Sequence, residues 1–300
     1  MPRHLLFLIN PISGTASKAG LQELIRQKME AAGLSYAIRP TVASGDYSYL
    51  DNEIGNYSEI IICGGDGTIN SVVQGMRHHG LPFGLLPMGS GNGLALSAGI
   101  SRNLPTALDV IVSGTPQLTD AFYIAGRFAC MLSGLGFDAQ VAHDFANAGK
   151  RGLTTYVQKI IAGFWSCGTY PFELEHGQSS LQFDAYFISI ANSNQFGNQF
   201  TIAPRASLHD GLLDVVIMLR QSKWSVLLQT LLQISGRTQL QSVEQISADA
   251  SVLYFQTDKL RIHNTGSAPL HIDGDPAETA SVLDVEVIPG AFQLIYPAGM

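Results

Sequence analysis

The chain has 300 residues, 46% of them apolar and 14% charged, so it can bury a large core and is not a disordered polymer. Its net charge of −7 argues against nucleic acid as the main partner, because no broad basic footprint is present to neutralise phosphates. The three cysteines, Cys63, Cys130 and Cys167, are widely spaced, which argues against a disulfide framework or a cysteine zinc site and suits a reducing cytosol. No stretch approaches the roughly 18 apolar residues of a membrane span. The expected protein is cytoplasmic and meets lipid, if at all, from the surface; Lys150-Arg151 is a local basic spot of the kind that anionic head groups attract.

Leu5 to Ile9 is a near-continuous apolar run, as in a parallel strand covered on both faces. It stops at Asn10-Pro11-Ile12-Ser13-Gly14. A helix follows, carrying Leu21, Leu24, Ile25 and Met29, and Gly33 closes it. Tyr36 to Arg39 predicts a second strand ending at Pro40-Thr41. Ile60 to Cys63 predicts a third, which ends in Gly64-Gly65-Asp66-Gly67 before helical spacing begins at Thr68, with Ile69, Val72, Val73 and Met76 on one face. Phe83 to Leu86 predicts a fourth, ending in Pro87-Met88-Gly89-Ser90-Gly91-Asn92-Gly93. A further helix with Leu104, Leu108 and Ile111 ends near Gly114.

Strands alternating with helices imply a doubly wound parallel sheet, and such sheets bind ligands beyond the carboxyl ends of their strands. Here those ends carry Asn10, Ser13 and Gly14, then Thr41, then Gly64, Gly65, Asp66, Gly67, Thr68 and Asn70, then Gly89, Ser90, Gly91 and Asn92. All are small or polar. Glycines admit close approach of backbone, and the free N–H groups of a new helix point at an anion. No G-x-x-x-x-G-K-[ST] occurs, so this is not a P-loop. A triphosphate would rest on backbone N–H groups, the hydroxyls of Thr68 and Ser90, and Mg²⁺. Asp66 suits a cation placed between carboxylate and phosphates; the alternative is that Asp66 and Thr68 cap the helix.

These motifs resemble the diacylglycerol kinase catalytic-domain family, which also includes sphingosine and ceramide kinases and many bacterial lipid kinases. The Asn10-Pro11-x-Ser13-Gly14 start, Gly64 to Asn70 and Gly89-Ser90-Gly91-Asn92 match family motifs in order. Thr41 stands where the family has a nucleotide-contacting threonine, although Gly45-Asp46-Tyr47 replaces the usual Gly-His-Ala. Gly93 replaces the aspartate of many bacterial members, and Gly89 to Ala95 is closer to the sphingosine and ceramide kinases. The resemblance implies a phosphofructokinase- or NAD-kinase-like α/β domain over 1–125, to which 291–300 returns. It also implies that Asp120, in Gln117-Leu118-Thr119-Asp120-Ala121, belongs to the active site; without the family it reads as a loop aspartate.

Beyond Asp120 the pattern turns to strands. Phe122–Ala125 and Phe128–Leu132 read as a hairpin about Gly126-Arg127. Runs follow at 172–175, 183–191, 213–219, 252–255, 260–263, 270–272 and 282–288, predicting a β-sandwich over 126–290, with a last run at 292–296; the resemblance implies that the sandwich holds the lipid. Gly134-x-Gly136-x-x-Ala139 follows a hairpin rather than opening a βαβ unit, so it reads as a bend and not a dinucleotide fingerprint. Asp138 is either structural or, as in sphingosine kinases, near the substrate head group. Leu153, Tyr156, Val157, Ile160, Ile161, Phe164 and Trp165 mark an amphipathic helix that packs on a sheet or walls an acyl pocket. Trp224, Leu227, Leu228, Leu231 and Leu232 mark a second. The histidines show no ligand spacing, and His78-His79 end a helix.

In the resembling bacterial kinases the segment Ser207 to Asp214 binds a structural Mg²⁺. Carried over, the ligands are Asp210 and the carbonyls of Ser207 and Leu212; the alternative is a plain Asp-Gly turn. Leu270-His271-Ile272-Asp273-Gly274-Asp275 runs into a hairpin turn where the family has Asp-Gly-Glu, its glutamate the general base. Asp275 keeps the carboxylate but its oxygens sit roughly 1.5 Å less far out on an unchanged backbone. The expected activity is phosphoryl transfer from ATP to a diacylglycerol-like or sphingoid hydroxyl at the membrane surface. Asp275, Asp66 and Asp120 are its catalytic groups, and ATP and Mg²⁺ are required. The alternatives are an NAD-kinase-like small-molecule kinase and a catalytically impaired lipid- or nucleotide-binding protein. Oligomeric state is open, a dimer included.

Overall fold

A computed structural model describes residues 2–12, 18–140, 163, 167–176, 179–194, 203–222, 225 and 252–299. The chain forms two compact units, Met1–Thr119 with Gly290–Met300, and Asp120–Pro289. Along it run β1 (His4–Ile9), α1 (Lys18–Ala32), β2 (Ser35–Pro40), β3 (Glu59–Gly64), α2 (Asp66–Met76), β4 (Phe83–Pro87), α3 (Gly93–Ser97) and α4 (Leu104–Ser113). Then come β5 (Thr115–Ile124), β6 (Arg127–Ala129), β7 (Leu132–Gly136), β8 (Tyr170–His176), β9 (Ser179–Ala191) and β10 (Leu213–Leu219). The last strands are β11 (Val252–Thr257), β12 (Lys259–His263), β13 (Leu270–Ile272), β14 (Asp275–Ala277) and β15 (Val282–Tyr296).

In the first unit the strands run parallel in the order β2-β1-β3-β4, and Leu294 of β15 pairs parallel with Phe83 of β4. Every residue of β3 and β4 is buried, which is why Ile60–Cys63 and Phe83–Pro87 are unbroken apolar runs rather than alternating ones. Helix α2 buries Ile69, Val72, Val73 and Met76, the stripe predicted from their spacing. Arg3 ties the sheet to the end of α4. Its Nε and one terminal nitrogen bond both oxygens of Glu59 at 2.7 and 2.8 Å, and its guanidinium also reaches the carbonyls of Ile111 and Val112. Those carbonyls belong to the last turn of a helix, where no intrahelical donor remains for them.

The second unit is antiparallel. β14, β13, β7, β9, β8, β12 and β15 lie side by side, and β10 joins β9 on one flank and β11 on the other. Strand β10 shows why the unit has two apolar layers. Val215 and Ile217 enter one buried cluster with Leu135, Ile188 and Phe255, whereas Val216 and Met218 enter another with Tyr186 and Tyr254. Successive side chains of a strand point to opposite faces, so a wholly apolar strand demands cover on both. The predicted fold class, a parallel α/β sheet followed by a β-sandwich, is the observed one.

Three local expectations need correction. The hairpin turn is Ala125-Gly126, both at positive φ (49° and 74°), one residue earlier than predicted; left-handed geometry at both positions is what a two-residue turn requires. Gly134 and Gly136 lie in strand β7, not in a bend. The segments 282–288 and 292–296 form one strand, since β15 continues through Pro289-Gly290. Among the described residues no helix is long and apolar enough to cross a membrane. Lys150-Arg151 and the two predicted amphipathic helices, Gly163 apart, lie outside the described residues.

Candidate active site

The first unit brings three of the predicted turns together. Gly65 is the N-cap residue of α2, in extended conformation (φ −98°, ψ −175°), and as a glycine brings no side-chain cap. Asp66 and Thr68 stand within the first turn rather than at the N-cap position. Asn10, at the end of β1, donates its amide to Thr68 Oγ1 at 2.7 Å and accepts the N–H of Ile12 at 3.0 Å. The turn after β4 lies against the turn after β3: Met88 N–H bonds the Gly64 carbonyl at 2.8 Å. A Cβ on Gly65 would stand 2.9 Å from the Gly89 Cα, and one on Gly89 would stand 2.6 Å from the Gly65 Cα. Both glycines are needed because backbone meets backbone there. The Thr41 N–H bonds the Ile9 carbonyl at 3.0 Å, holding β2's end beside β1's. Ser13 and Gly14 lie outside the described residues.

Asn92 has a different part from its neighbours. It is buried, sits in the left-handed region (φ 57°, ψ 42°), and accepts the Gly89 N–H while donating to the Gly89 carbonyl, both at 2.8 Å. Its amide shapes the loop; Ser90 remains exposed at the tip. The first turn of α2 has the N–H groups of Asp66, Gly67 and Thr68 at its open end, since the first intrahelical bond is Ile69 N–H to the Gly65 carbonyl. A helix start of this kind attracts anions.

In the second unit Asp120 is buried, its carboxylate accepts the Gly211 N–H at 2.7 Å, and its own N–H bonds the Leu208 carbonyl. The predicted metal turn and the predicted active-site aspartate are thus in contact. Asp210 Oδ1 accepts the Leu212 N–H at 3.1 Å, and Ser207 Oγ accepts the His209 N–H at 3.3 Å. Loss of solvent around the carboxylate pushes the Asp210 pKa up; the Leu212 bond opposes this and the Asp120 charge adds to it. Asp214 is fully buried and committed to Tyr254 Oη (2.6 Å) and Gln256 Nε2 (2.9 Å), with its pKa raised by burial.

The hairpin β13–β14 carries Asp275 at an exposed position paired with Ile272. Asp273 and Gly274 form its turn, both left-handed (φ 50° and 88°). Asp273 does more than turn the chain. Its buried carboxylate accepts the N–H groups of Cys130, Met131 and Leu132 at 2.9, 3.0 and 3.0 Å. That explains why β6 stops at Ala129: the next N–H groups are aimed at a carboxylate rather than at a strand. Asp273→Ala should leave three buried donors unserved and cost about 3 kcal/mol or more of stability. Urea unfolding monitored by fluorescence would measure it, and a loss below about 1 kcal/mol would contradict the assignment.

Two groupings were hidden in the sequence. Asp51, His78 and His79 present ligand atoms within 4.8 Å of one another at the far end of α2, and His79 is partly buried rather than solvent-facing. Asp138 lies with Oδ2 3.3 Å from Nε2 of the fully buried His271.

Residues 4–124 match the diacylglycerol kinase catalytic domain, and residues 132–296 match the YegS C-terminal NAD kinase beta sandwich-like domain. The chain belongs to this bacterial lipid-kinase family. Its relatives include a protein of Bacillus subtilis named diacylglycerol kinase, 24% identical over 89% of this chain and 88% of that one. Another, from Chromohalobacter salexigens, is named a probable lipid kinase YegS-like and is 26% identical over 91% of this chain and 87% of its own length. A crystal structure described as a diacylglycerol kinase from Bacillus anthracis superposes with a TM-score of 0.73 at 16% identity, covering 99% of this chain and 97% of that one. At that identity the superposition shows a shared fold.

Proposed function

We propose that the protein is an ATP-dependent kinase that phosphorylates a lipid hydroxyl, diacylglycerol-like or sphingoid in type. The observation that carries this reading is the paired glycine turn, Gly64–Thr68 against Gly89, at a helix start whose N-cap is glycine, in a chain of a lipid-kinase family. The first unit is then the nucleotide domain and the second the lipid domain. ATP supplies the phosphoryl group. Asn10, Ser13, Gly14, Thr41, Gly64, Gly65, Gly67, Thr68, Asn70, Gly89, Ser90, Gly91 and Asn92 form or shape its cradle, and Asp66 holds a cation against the phosphates. Asp275 accepts the proton of the attacking hydroxyl. Chemistry of this type needs positioning and charge neutralisation rather than a protein nucleophile.

The donors around Asp210 are oxygens, with Asp120 as a second carboxylate close by. That set suits Mg²⁺ or Ca²⁺ rather than a thiophilic metal, and we place a structural Mg²⁺ on Asp210 and the carbonyls of Ser207 and Leu212. Incubation with Mg-ATP and a total lipid extract, followed by mass spectrometry, should find a lipid species that has gained phosphate. Phosphorylated NAD⁺ with no lipid product would favour an NAD-kinase-like activity. Binding of ATP and lipid without turnover would favour the impaired protein that Asp275, in place of glutamate, brings into consideration.

A further inference from the structure

His271 is the middle residue of β13, has no solvent exposure, and stands opposite Gly134 on one side and Pro276 on the other. Its Nε2 lies 3.3 Å from Asp138 Oδ2, and the Asp138 side chain is itself only 9% exposed. A Cβ on Gly134 would fall 2.2 Å from that Asp138 oxygen and 2.6 Å from that ring nitrogen. The glycine in β7 is thus what makes room for the two polar groups. Burying such groups costs several kcal/mol unless opposite charge or hydrogen bonds offset it; here the two stand within ion-pair distance of each other. At the other edge of the ring, Nδ1 accepts the Gly274 N–H at 3.3 Å.

The Gly274 contact sets the tautomer of the neutral ring. An Nδ1 that accepts carries no proton, so the neutral ring holds its proton on Nε2, the nitrogen facing Asp138. The Asp138 carboxylate, 3.3 Å away, attracts that proton electrostatically, although the two atoms are not aligned as a hydrogen bond. The turn is then held from two sides: Asp273 by the N–H groups of Cys130, Met131 and Leu132, and Gly274 by His271. Asp275 follows directly. We infer that the buried His271–Asp138 pair is a positioning device for the hairpin turn that presents Asp275. The inference rests on the reading of Asp275 as the base. A short carboxylate has less reach than a glutamate, so a turn that wanders by an ångström forfeits more rate.

Substitutions separate the two contacts. His271→Asn keeps an acceptor where Nδ1 stood and gives up the contact to Asp138; His271→Gln places its amide near Nε2 and gives up the Gly274 acceptor; His271→Leu removes both. We expect His271→Leu to lower kcat about 10- to 100-fold with KM for ATP unchanged, and to speed hydrogen exchange at the Gly274 amide. His271→Asn should recover most of kcat and His271→Gln should not. Unchanged kcat and unchanged Gly274 exchange in folded His271→Leu would overturn the inference. If that variant does not fold, His271→Gln matching or exceeding His271→Asn does so. Asp275→Asn, assayed in parallel, keeps the two readings apart: if it is fully active the base assignment fails, and the Gly274 exchange rate alone decides the positioning role.

Discussion

Asp275→Ala should lower phosphoryl transfer by about 10²- to 10⁴-fold, the range a positioned general base supplies, while ATP binding and unfolding midpoint stay as they are. The residue is exposed at the start of β14, opposite Ile272 in the ladder, so removing its carboxylate empties no core. The turn before it is fixed independently by Asp273, whose three N–H partners lie 141 to 143 residues away in sequence. Loss of rate in this variant would therefore report the carboxylate itself and not a collapsed hairpin. Asp275→Glu extends the side chain by roughly 1.5 Å and should retain measurable transfer, since it keeps a carboxylate at this exposed position. Single-turnover assays with the lipid found by mass spectrometry would give the rates. Wild-type turnover in Asp275→Ala would remove the residue from the mechanism.

What the sequence made legible was local. Ile60–Cys63 followed by four residues rich in glycine announces a buried parallel strand and a phosphate turn, because both signals sit within a dozen residues. Asp-Gly at 273–274 announces a two-residue hairpin turn for the same reason. What it hid was contact at distance. Asp273 reads as a turn former, yet its carboxylate also ends β6 by capturing the Cys130, Met131 and Leu132 N–H groups. Gly134 reads as a bend, yet it is a strand residue kept small by Asp138 and His271. Asn92 reads as one more phosphate donor, yet both ends of its amide serve Gly89. His78 and His79 lack any ligand spacing because their third companion, Asp51, comes from another loop. In each case the residue type was visible and its partner was not.

Asp66→Asn should separate charge from structure at the nucleotide site. Asp66 occupies the first turn of α2, after the N-cap Gly65. A negative charge there interacts favourably with the helix dipole, but that is worth only about 0.3–1 kcal/mol, so the amide should fold nearly as well. Its electrostatic part at the phosphates is far larger. Carboxylate and triphosphate repel unless a divalent cation lies between them, and removing one such preorganised group from phosphoryl transfer costs on the order of 10²- to 10³-fold in rate. The diagnostic is the Mg²⁺ dependence of ATP binding. In the wild type, Mg²⁺ should tighten ATP, because the ion is shared between Asp66 and the phosphates; in Asp66→Asn that tightening should shrink or vanish, while ATP binding without metal should improve as the repulsion disappears. Full transfer with an unaltered Mg²⁺ dependence would mean that Asp66 serves the helix alone, and the cation would then have to be held by other groups.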